Sequence, residues 1–449
     1  MLTLKGYRIK KNIDTDKLKK QLTIKPYIPS VFVKPQFVQK YPVFAEDSEF
    51  LYVPKHFGIE KFGIPQSERN ILPDSSKKWE FAGKLRDIQL PVVNSFLLPQ
   101  PHDGIISLHT GGGKTVCALY IVSQLRIPTL ILVHNTFLRD QWTERISNFL
   151  PKLKIGKIQG DAIEDGDIVV AMLQSVSQKD YPSSIFAKFG LIIVDECHHI
   201  ASESFSKAIP KLTSQYMLGL SATPERKDKL MYAINWFLGP LLYTSNTADK
   251  TDELVRVEVF DFEESRTSEE RATPAYQEYN QIIYNNSGVM FTTLMINKLT
   301  EYKPRNEFIS EIIAGLSDRK ILVLTDRIEH TKLLFNMMPE ELQKESCILL
   351  RSTKPEVRTE WCNKKRILIA TYHMCKEGFD VESLNTLVIA TPRPDVDQIV
   401  GRILRTEKEK RKIHPLIIDM VDPQFRRQFQ ERLSLYKKRS YQIEMMQLL

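Results

Sequence analysis

Several features typical of other protein classes are missing from this 449-residue chain. It has five cysteines, an odd number, and no C-x-x-C pair, so we expect neither a disulfide framework nor a zinc or iron–sulfur cluster. No apolar run approaches the ~18 residues that a membrane span needs, and residues 1–5 lack the apolar core of a secretory signal. No nuclease or deaminase signature is present. We therefore expect an intracellular protein of a reducing compartment, cytoplasm or nucleus, without a membrane partner.

Positive charge is abundant and unevenly distributed. The net charge is +8 and the pI about 9.0. Residues 1–40 carry ten lysines and arginines against two aspartates, and a second basic cluster lies within 408–439. Such clusters favour phosphate backbones as partners, although a solvated surface is the alternative for any single lysine. Residues 1–80 are also rich in aromatics, which predicts either an accessory nucleic-acid-binding domain or a small β-domain that docks on its neighbour.

A glycine-rich loop is the most informative motif. It follows the apolar run 105–108 and precedes a helical pattern over 116–125, an arrangement in which backbone N–H groups and a helix N-terminus cradle phosphates. Leu108 stands where the full G-x-x-x-x-G-K-T pattern has glycine, and an ordinary glycine-rich turn is the alternative. In the phosphate interpretation Lys114 reaches the β- and γ-phosphates, and Thr115 holds Mg²⁺. The loop residues are Thr110, Gly111, Gly112, Gly113, Lys114 and Thr115.

Two carboxylates follow the apolar run 191–194, which predicts a buried strand. Ligands bind at the carboxyl ends of parallel strands, so Asp195 is expected to bind Mg²⁺ and Glu196 to position the attacking water. Ordinary caps and salt bridges are the alternative interpretation. The Ser221-Ala222-Thr223 segment lies 26 residues after Asp195. Its hydroxyls could bond His198, although a plain strand-to-turn connection is the simpler interpretation.

Apolar runs alternate with amphipathic segments in two series, which predicts parallel sheets covered by helices. An acid-rich linker beginning at residue 244 separates the series, and a helical stretch is predicted over about 275–317. We expect an α/β protein with an accessory domain at 1–84, a first parallel-sheet domain at 85–243 and a second at 244–449. The predicted strands are 105–108, 129–134, 168–173, 191–195 and 216–221, then 254–262, 321–325, 347–350, 366–371, 386–391 and 415–420.

Basic and polar residues recur at helical spacing in the second series. Gln398, Arg402 and Arg405 fall at i, i+4 and i+7, which predicts one face of a helix. Arginines presented to a triphosphate from another domain stabilise the charge of the transition state. A solvated basic helix face is the alternative.

Taken in order, these motifs resemble those of superfamily 2 helicases and translocases. Within that superfamily the chain resembles the XPB and UvsW-like DNA helicases, and its size and basic start resemble helicases of large DNA viruses, relatives of the poxvirus transcript-release helicase. Residues 195–198, Asp-Glu-Cys-His, form an acidic box. Its fourth residue is His198, which argues against the DEAD-box RNA helicases. The motifs are Leu85-Arg86-Asp87-Ile88-Gln89, the phosphate loop, His134-Asn135 with Gln141-Trp142, Gln174-Ser175, Asp195-Glu196-Cys197-His198, Ser221-Ala222-Thr223, Thr325-Asp326-Arg327, Glu377-Gly378-Phe379-Asp380 and Gln398-x-x-Gly401-Arg402-x-x-Arg405.

The resemblance implies two tandem RecA-like parallel-sheet domains, with ATP and Mg²⁺ as cofactors. It implies that Arg86 and Gln89 recognise adenine and that Gly378 and Asp380 contribute to the nucleotide site. Gln398, Arg402 and Arg405 would complete the site from the second domain. Nucleic acid would contact His134-Asn135, Gln174-Ser175, Thr325-Asp326 and Thr371.

The sequence therefore predicts an ATP hydrolase that moves along nucleic acid, DNA in preference to RNA. The resemblance to helicases of large DNA viruses makes a viral source one candidate origin. Two alternatives stay open. One is an RNA-directed or transcript-releasing helicase. The other is an ATP-gated nucleic-acid clamp within transcription or repair machinery.

Overall fold

The chain divides into two compact units, Met1–Ser245 (unit 1) and Asn246–Leu449 (unit 2). The computed structural model describes residues 1–11, 14–25, 39–65, 70–109, 112–199, 203–222, 230–245, 254–285, 288–376, 381, 383–404, 406 and 411–446. Within these ranges no helix combines the length and apolarity that crossing a bilayer requires.

Unit 1 begins with a small antiparallel sheet of order β1-β2-β6-β5, beside the separate pair β3-β4. The prediction of a β-containing N-terminal region is thereby confirmed. The first six strands are β1 (Leu2–Thr3), β2 (Gly6–Lys10), β3 (Thr23–Ile24), β4 (Tyr41–Pro42), β5 (Ala45–Glu46) and β6 (Phe50–Val53).

The main sheet of unit 1 has eight strands in the order β10-β9-β11-β8-β12-β13-β7-β14. Every neighbouring pair is parallel except β9 and β10. All five predicted strands are present, because strands covered on both faces have continuous apolar sequences. The strands are β7 (Gly104–Ser107), β8 (Thr129–Val133), β9 (Ile155–Gln159), β10 (Ala162–Glu164), β11 (Ile168–Met172), β12 (Leu191–Val194), β13 (Tyr216–Ser221) and β14 (Leu241–Thr244).

Helices cover unit 1 and extend its two hydrophobic cores. They are α1 (Thr15–Gln21), α2 (Lys55–Phe62), α3 (Leu90–Leu97), α4 (Lys114–Leu125), α5 (Thr136–Phe149), α6 (Leu173–Gln178), α7 (Ser183–Ala187), α8 (Glu203–Ala208) and α9 (Met231–Leu238).

The N-terminal sheet shares a core with one face of the main sheet. Buried Leu51 and Phe57 belong to the same apolar cluster as residues of β7, β8 and β12. The ring of Phe57 packs edge-on against that of Trp236, with 5.1 Å between the ring centroids. Lys55 Nζ lies 2.8 Å from the buried Asp103 carboxylate. Phe57 therefore contributes to packing, as the docking alternative expects, and the nucleic-acid-binding alternative for residues 1–80 stays a prediction. Trp79 lies in the core on the other face, and the boundary at residue 84 stays a prediction.

Unit 2 contains one wholly parallel sheet of order β17-β18-β16-β19-β20-β15-β21. All six predicted strands are present, and β21 is additional. The strands are β15 (Arg256–Asp261), β16 (Ile321–Thr325), β17 (Ser346–Leu349), β18 (Ile367–Thr371), β19 (Thr386–Ile389), β20 (Leu416–Val421) and β21 (Gln442–Met445).

The predicted helical stretch over 275–317 is divided. An antiparallel bridge between Tyr284 and Met290 interrupts it, and Gly288 there has φ +70°, which favours glycine. The helices of unit 2 are α10 (Ser268–Ala272), α11 (Pro274–Asn280), α12 (Thr292–Glu301), α13 (Lys303–Gly315), α14 (Ile328–Met337), α15 (Glu340–Glu345), α16 (Pro355–Lys364), α17 (Tyr372–Lys376), α18 (Asp397–Val400) and α19 (Arg426–Lys438).

Candidate active site

Three adjacent strands of unit 1 bring the predicted catalytic segments together. In the strand order β12-β13-β7, the carboxyl ends lead respectively to Asp195-Glu196, to Ala222 after Ser221 and to the glycine loop. The Leu108 N–H donates to the Ser221 carbonyl at 3.0 Å, which joins two of these ends. Parallel strands place all three segments at one edge, where such sheets bind ligands.

The described part of the glycine loop has the geometry of a tight helix start. Gly113 caps α4 with φ +84° and ψ +33°. A Cβ there would lie 2.1 Å from Gln89 Nε2, so a side chain would displace the Gln89 amide, and the left-handed backbone conformation itself favours glycine. Two predicted loop residues, Thr110 and Gly111, lie outside the described residues.

The predicted adenine-binding residues lie against this loop. Gln89 is buried, its Nε2 lies 3.4 Å from the Gly112 carbonyl, and its Oε1 accepts the Arg86 N–H at 2.9 Å. A Cβ on Gly113 would lie 3.1 Å from Arg86 Nη2. The tertiary fold therefore joins the first motif to the loop.

Lys114 extends toward the acidic box. Its Nζ lies 3.9 Å from Glu196 Oε1 and donates to the Leu108 carbonyl at 3.2 Å. The Leu108 side chain is buried in the core, so its departure from glycine is accommodated by packing. Thr115 follows in the first turn of α4 and is half-buried.

Asp195 is held by a residue whose role the sequence analysis missed. Trp142 Nε1 donates to Asp195 Oδ2 at 2.8 Å. Burial, then the neighbouring Glu196 charge, raises the pKa of Asp195 to about 6, and the Trp142 hydrogen bond and Lys114 partly oppose this rise. A buried indole N–H needs an acceptor, but nothing in the sequence indicates which one.

His198 connects the acidic box to Ser221. Its Nδ1 lies 3.0 Å from Ser221 Oγ and 3.3 Å from Glu196 Oε2. The hypothesis of a hydroxyl bond to His198 is confirmed for Ser221, whereas Thr223 lies outside the described residues. Glu196 has φ +48°, an uncommon conformation for a residue with a side chain, typical of functional sites.

The two nucleic-acid motifs predicted in unit 1 are adjacent. They follow the paired strands β8 and β11, and the exposed Gln174 donates from Nε2 to the His134 carbonyl at 2.6 Å. Asn135 caps α5 by accepting the Leu138 N–H at 2.8 Å, and Ser175 Oγ accepts the Gly160 N–H at 2.9 Å. These two side chains therefore also have structural roles.

In unit 2, Thr325 and Thr371 end neighbouring strands in register. The Thr325 hydroxyl is buried and lies 2.6 Å from His330 Nδ1, so this side chain faces the core. The Asp326 N–H donates to Thr391 Oγ1 at 2.9 Å, and its carboxylate accepts from Arg393 Nη1 at 3.3 Å.

The predicted helix over Gln398, Arg402 and Arg405 is shorter than expected. The α18 helix ends at Val400, and the Arg402 N–H bonds the Ile399 carbonyl three residues back, at 2.9 Å. Gly401 weakens helix propagation there. Gln398 and Arg402 therefore do not share a regular helical face, which corrects the prediction. Arg405 and residues 377–380, including Gly378 and Asp380, lie outside the described residues.

Comparison with known proteins decides the family. A family model described as "Type III restriction enzyme, res subunit" matches residues 82–226. A candidate ATP-dependent RNA helicase of Acanthamoeba polyphaga mimivirus is 31% identical over 459 aligned positions, covering 99% of this chain and 86% of that protein. The chain belongs to the superfamily 2 helicases of large DNA viruses. It is therefore an ATP-dependent helicase or translocase, and the predicted family and enzyme class are confirmed.

Two further similarities agree with this assignment. The DNA 3′-5′ translocase XPB2 of Sulfurisphaera tokodaii is 37% identical over 166 residues, 37% of each chain. The solved structure of S. cerevisiae Dbp5 bound to RNA and ADP BeF3 has a TM-score of 0.54 at 15% identity, covering 81% of this chain and 90% of that one. At that identity the likeness concerns the fold alone, and it confirms the predicted fold class.

Proposed function

We propose that this helicase hydrolyses ATP at the carboxyl edge of the unit 1 sheet and moves along one strand of DNA. The observation that carries the proposal is the meeting of a lysine and two carboxylates beside a glycine-capped helix start. Lys114 Nζ lies 3.9 Å from Glu196, and Asp195 precedes Glu196 at the end of β12. Strand separation, annealing or protein displacement could each follow from the same movement.

The oxygen atoms available beside the glycine loop fit Mg²⁺, because this ion prefers carboxylate and hydroxyl oxygens as ligands. Asp195 and Thr115 would hold it. The raised pKa of Asp195 supports this assignment, because two adjacent carboxylates in a half-buried site are stabilised by a cation. When bound, the ion would neutralise phosphate charge.

Lys114 would bind the β- and γ-phosphates from the first residue of α4, and the Gly112 and Gly113 backbone would leave room for the phosphate chain. Glu196 would accept a hydrogen bond from the attacking water and orient it toward the γ-phosphorus. Arg86 and Gln89, in contact with the same loop, would bind the adenine.

Residues of unit 2 would complete the site when ATP binds. By the family pattern these are Gln398, Arg402, Arg405, Gly378 and Asp380. Arginine supplied from a second domain stabilises charge on the transferred phosphoryl group. Closure on ATP and opening after hydrolysis would then move the protein along its strand.

DNA is the favoured substrate because the local identity to XPB2, a DNA translocase by name, reaches 37%. The name of the mimivirus relative specifies RNA, and that similarity spans both chains. RNA-directed or transcript-releasing activity is therefore the second candidate function.

One parallel assay separates these candidates. ATP turnover is measured with single-stranded DNA, duplex DNA and RNA of the same sequence. The Glu196→Gln variant, which is expected to lose hydrolysis, serves as the inactive control. We expect single-stranded DNA to stimulate turnover most. Stimulation by RNA alone would replace the DNA proposal with the RNA one.

Binding itself should depend on salt and hardly on base sequence, because backbone contacts release counterions. We expect log Kobs for single-stranded DNA to fall linearly with log salt across sequences of equal length. A flat salt dependence would contradict a strand-tracking interface.

A further inference from the structure

One face of α19 carries three buried polar side chains at helical spacing, Arg432, Tyr436 and Arg439. Arg432 donates from Nε and Nη2 to the two carboxylate oxygens of Asp419 at 2.8 and 2.7 Å. The Tyr436 hydroxyl donates to the same carboxylate at 2.8 Å. These contacts attach α19 firmly to β20 and leave Arg439, at the C-cap, directed elsewhere.

Arg439 binds the first residue of α18. Its Nη2 lies 2.6 and 2.7 Å from the two carboxylate oxygens of Asp397. The arginine side chain is about 5% exposed. Its Nε and Nη1 make no hydrogen bond to any described residue. The guanidinium therefore depends on Asp397 for its polar contacts in the part of the chain that the structure describes.

The segment between β19 and α18 is held by α19 at a second point. Arg432 Nη1 donates to the Arg393 carbonyl at 2.8 Å. The Arg393 side chain in turn donates to Asp326 at 3.3 Å and lies over the Tyr372 ring at 4.9 Å. Residues 390–397 thus run from the Asp326 motif to the start of α18 with both ends anchored.

We propose that Arg439 is a positioning residue for ATP hydrolysis, which holds α18 through Asp397 and so orients Gln398 and Arg402. The proposal rests on the function proposed above for those two residues. Because α18 has only four residues, its own backbone hydrogen bonds fix its direction weakly. Ile399 and Val400 pack the apolar side of α18 into the core, and the ion pair at its first residue orients its polar side.

The structural alternative is that the ion pair only fastens the C-terminal helix. The two interpretations differ in steady-state kinetics. If the ion pair only fastens the helix, its loss lowers stability and leaves turnover by the folded enzyme unchanged. If it positions α18, its loss lowers kcat and leaves KM for ATP nearly unchanged, because the nucleotide would bind to unit 1.

The test uses Arg439→Met, Arg439→Lys and Asp397→Asn in the full chain, with nucleic-acid-stimulated ATP turnover and Tm measured on each. We expect Arg439→Met to lower kcat about 10- to 100-fold, since displacement of a catalytic group by about 1 Å has effects of this size. KM for ATP should change less than about 3-fold, within the scatter of single contacts. Arg439→Lys should recover part of the loss, and Asp397→Asn should add little to Arg439→Met.

The matched control is Arg366→Met, which removes an ion pair with Glu345 formed at 2.6 Å elsewhere in unit 2. It should leave kcat unchanged. If Arg439→Met does not fold, Asp397→Asn carries the test, because it keeps the side-chain shape.

Three outcomes are informative. Loss of kcat at unchanged Tm and KM supports the proposal. Normal kcat in folded Arg439→Met and Asp397→Asn, with Arg402→Ala impaired, overturns the positioning role and leaves the proposed function standing. Normal kcat in Arg402→Ala as well overturns the role of α18 in hydrolysis, and with it this inference.

Discussion

Two pairs of opposite charges, one in each unit, are arranged differently. At the carboxyl edge of the unit 1 sheet, Lys114 and Glu196 are separated by 3.9 Å, beyond hydrogen-bonding distance. In unit 2, Arg305 is fully buried and donates to both oxygens of Asp422 at 2.6 and 2.9 Å. The Lys114–Glu196 pair leaves room between its opposite charges, whereas the Arg305–Asp422 pair is in direct contact through two hydrogen bonds.

We infer that the difference separates groups that would bind a ligand from groups that support them. A phosphate placed between Lys114 and the acidic box would fit where these two opposite charges are not in direct contact. Buried bidentate pairs contribute little net stability because desolvation offsets their attraction. We infer that the pairs in unit 2 serve mainly to fix one geometry.

The largest expected effect comes from removing the Glu196 carboxylate from the unit 1 site, which tests whether that site binds and hydrolyses ATP. Glu196→Gln keeps the side-chain shape and loses the acceptor for the attacking water. We expect kcat to fall about 10²- to 10⁴-fold while ATP binding is retained, as measured by turnover and by nucleotide titration. Lys114→Ala should instead weaken ATP binding.

The control for that change is Glu164→Gln, which alters an exposed ion pair with Lys157 and should leave turnover unchanged. ATP turnover near wild type in Glu196→Gln would remove the water-positioning role of this residue.

The family pattern predicts that unit 2 contributes an arginine to the chemistry, which extends the comparison to Arg402. Arg402→Ala should lower kcat by as much as about 10³-fold if the guanidinium contacts the transferred phosphoryl group. ATP affinity should fall far less, because Lys114 and the glycine loop remain. Single-turnover kinetics measure the chemical step directly, and an unchanged rate would restrict Arg402 to a structural role.

A third change addresses the rigid pairs of unit 2. Asp422→Asn removes the charge that compensates Arg305 and weakens the acceptor of the Tyr279 hydroxyl, which donates to it at 2.7 Å. We expect the free energy of unfolding to fall by about 3–5 kcal/mol, measured by urea denaturation. Glu329→Gln, which disrupts the exposed pair with Lys332, should cost at most about 1 kcal/mol.

The smallest predicted effect is a pH dependence of stability in unit 2. Burial, reinforced by the Arg305 charge, lowers the pKa of His330 to about 3, against about 6.5 in an unfolded chain. As pH falls below 6.5, His330 therefore takes up a proton in the unfolded state but not in the folded state. This residue should then lower the free energy of unfolding by about 1.4 kcal/mol per pH unit.

Urea denaturation at pH 7, 6 and 5 tests this effect. His330→Asn should flatten the pH dependence relative to wild type, while His373→Gln, which changes an exposed histidine, should leave it unaltered. Equal slopes for wild type and His330→Asn would contradict the assigned shift.

Much of the architecture could be predicted because its determinants are local. The strands β11, β12 and β16 are buried throughout, so each is visible as an apolar run. Strands that lack a continuous apolar run were missed. In β9 buried and half-buried residues alternate, and β14 begins with exposed Leu241. The extent of α18 was also mispredicted, because helical spacing does not reveal where the i→i+4 hydrogen bonds stop.

For the candidate site, motif order and residue type alone predicted the glycine loop and the acidic box. The bond between Ser221 and His198 was raised only as the less simple of two interpretations. The sequence did not reveal that Trp142 donates to Asp195, because 53 residues separate the two side chains and many acceptors were equally available to the indole.

By itself the sequence determined the family, the two parallel sheets and the chemical groups available for ATP hydrolysis, since apolar runs and glycine spacing act through local backbone physics. Only the tertiary structure decided which charges meet. Lys55 pairs with Asp103 across 48 positions, and Arg439 with Asp397 across 42. Such pairs form where packing brings two side chains together in a buried place. The packing depends on the whole fold, so no local pattern predicts them.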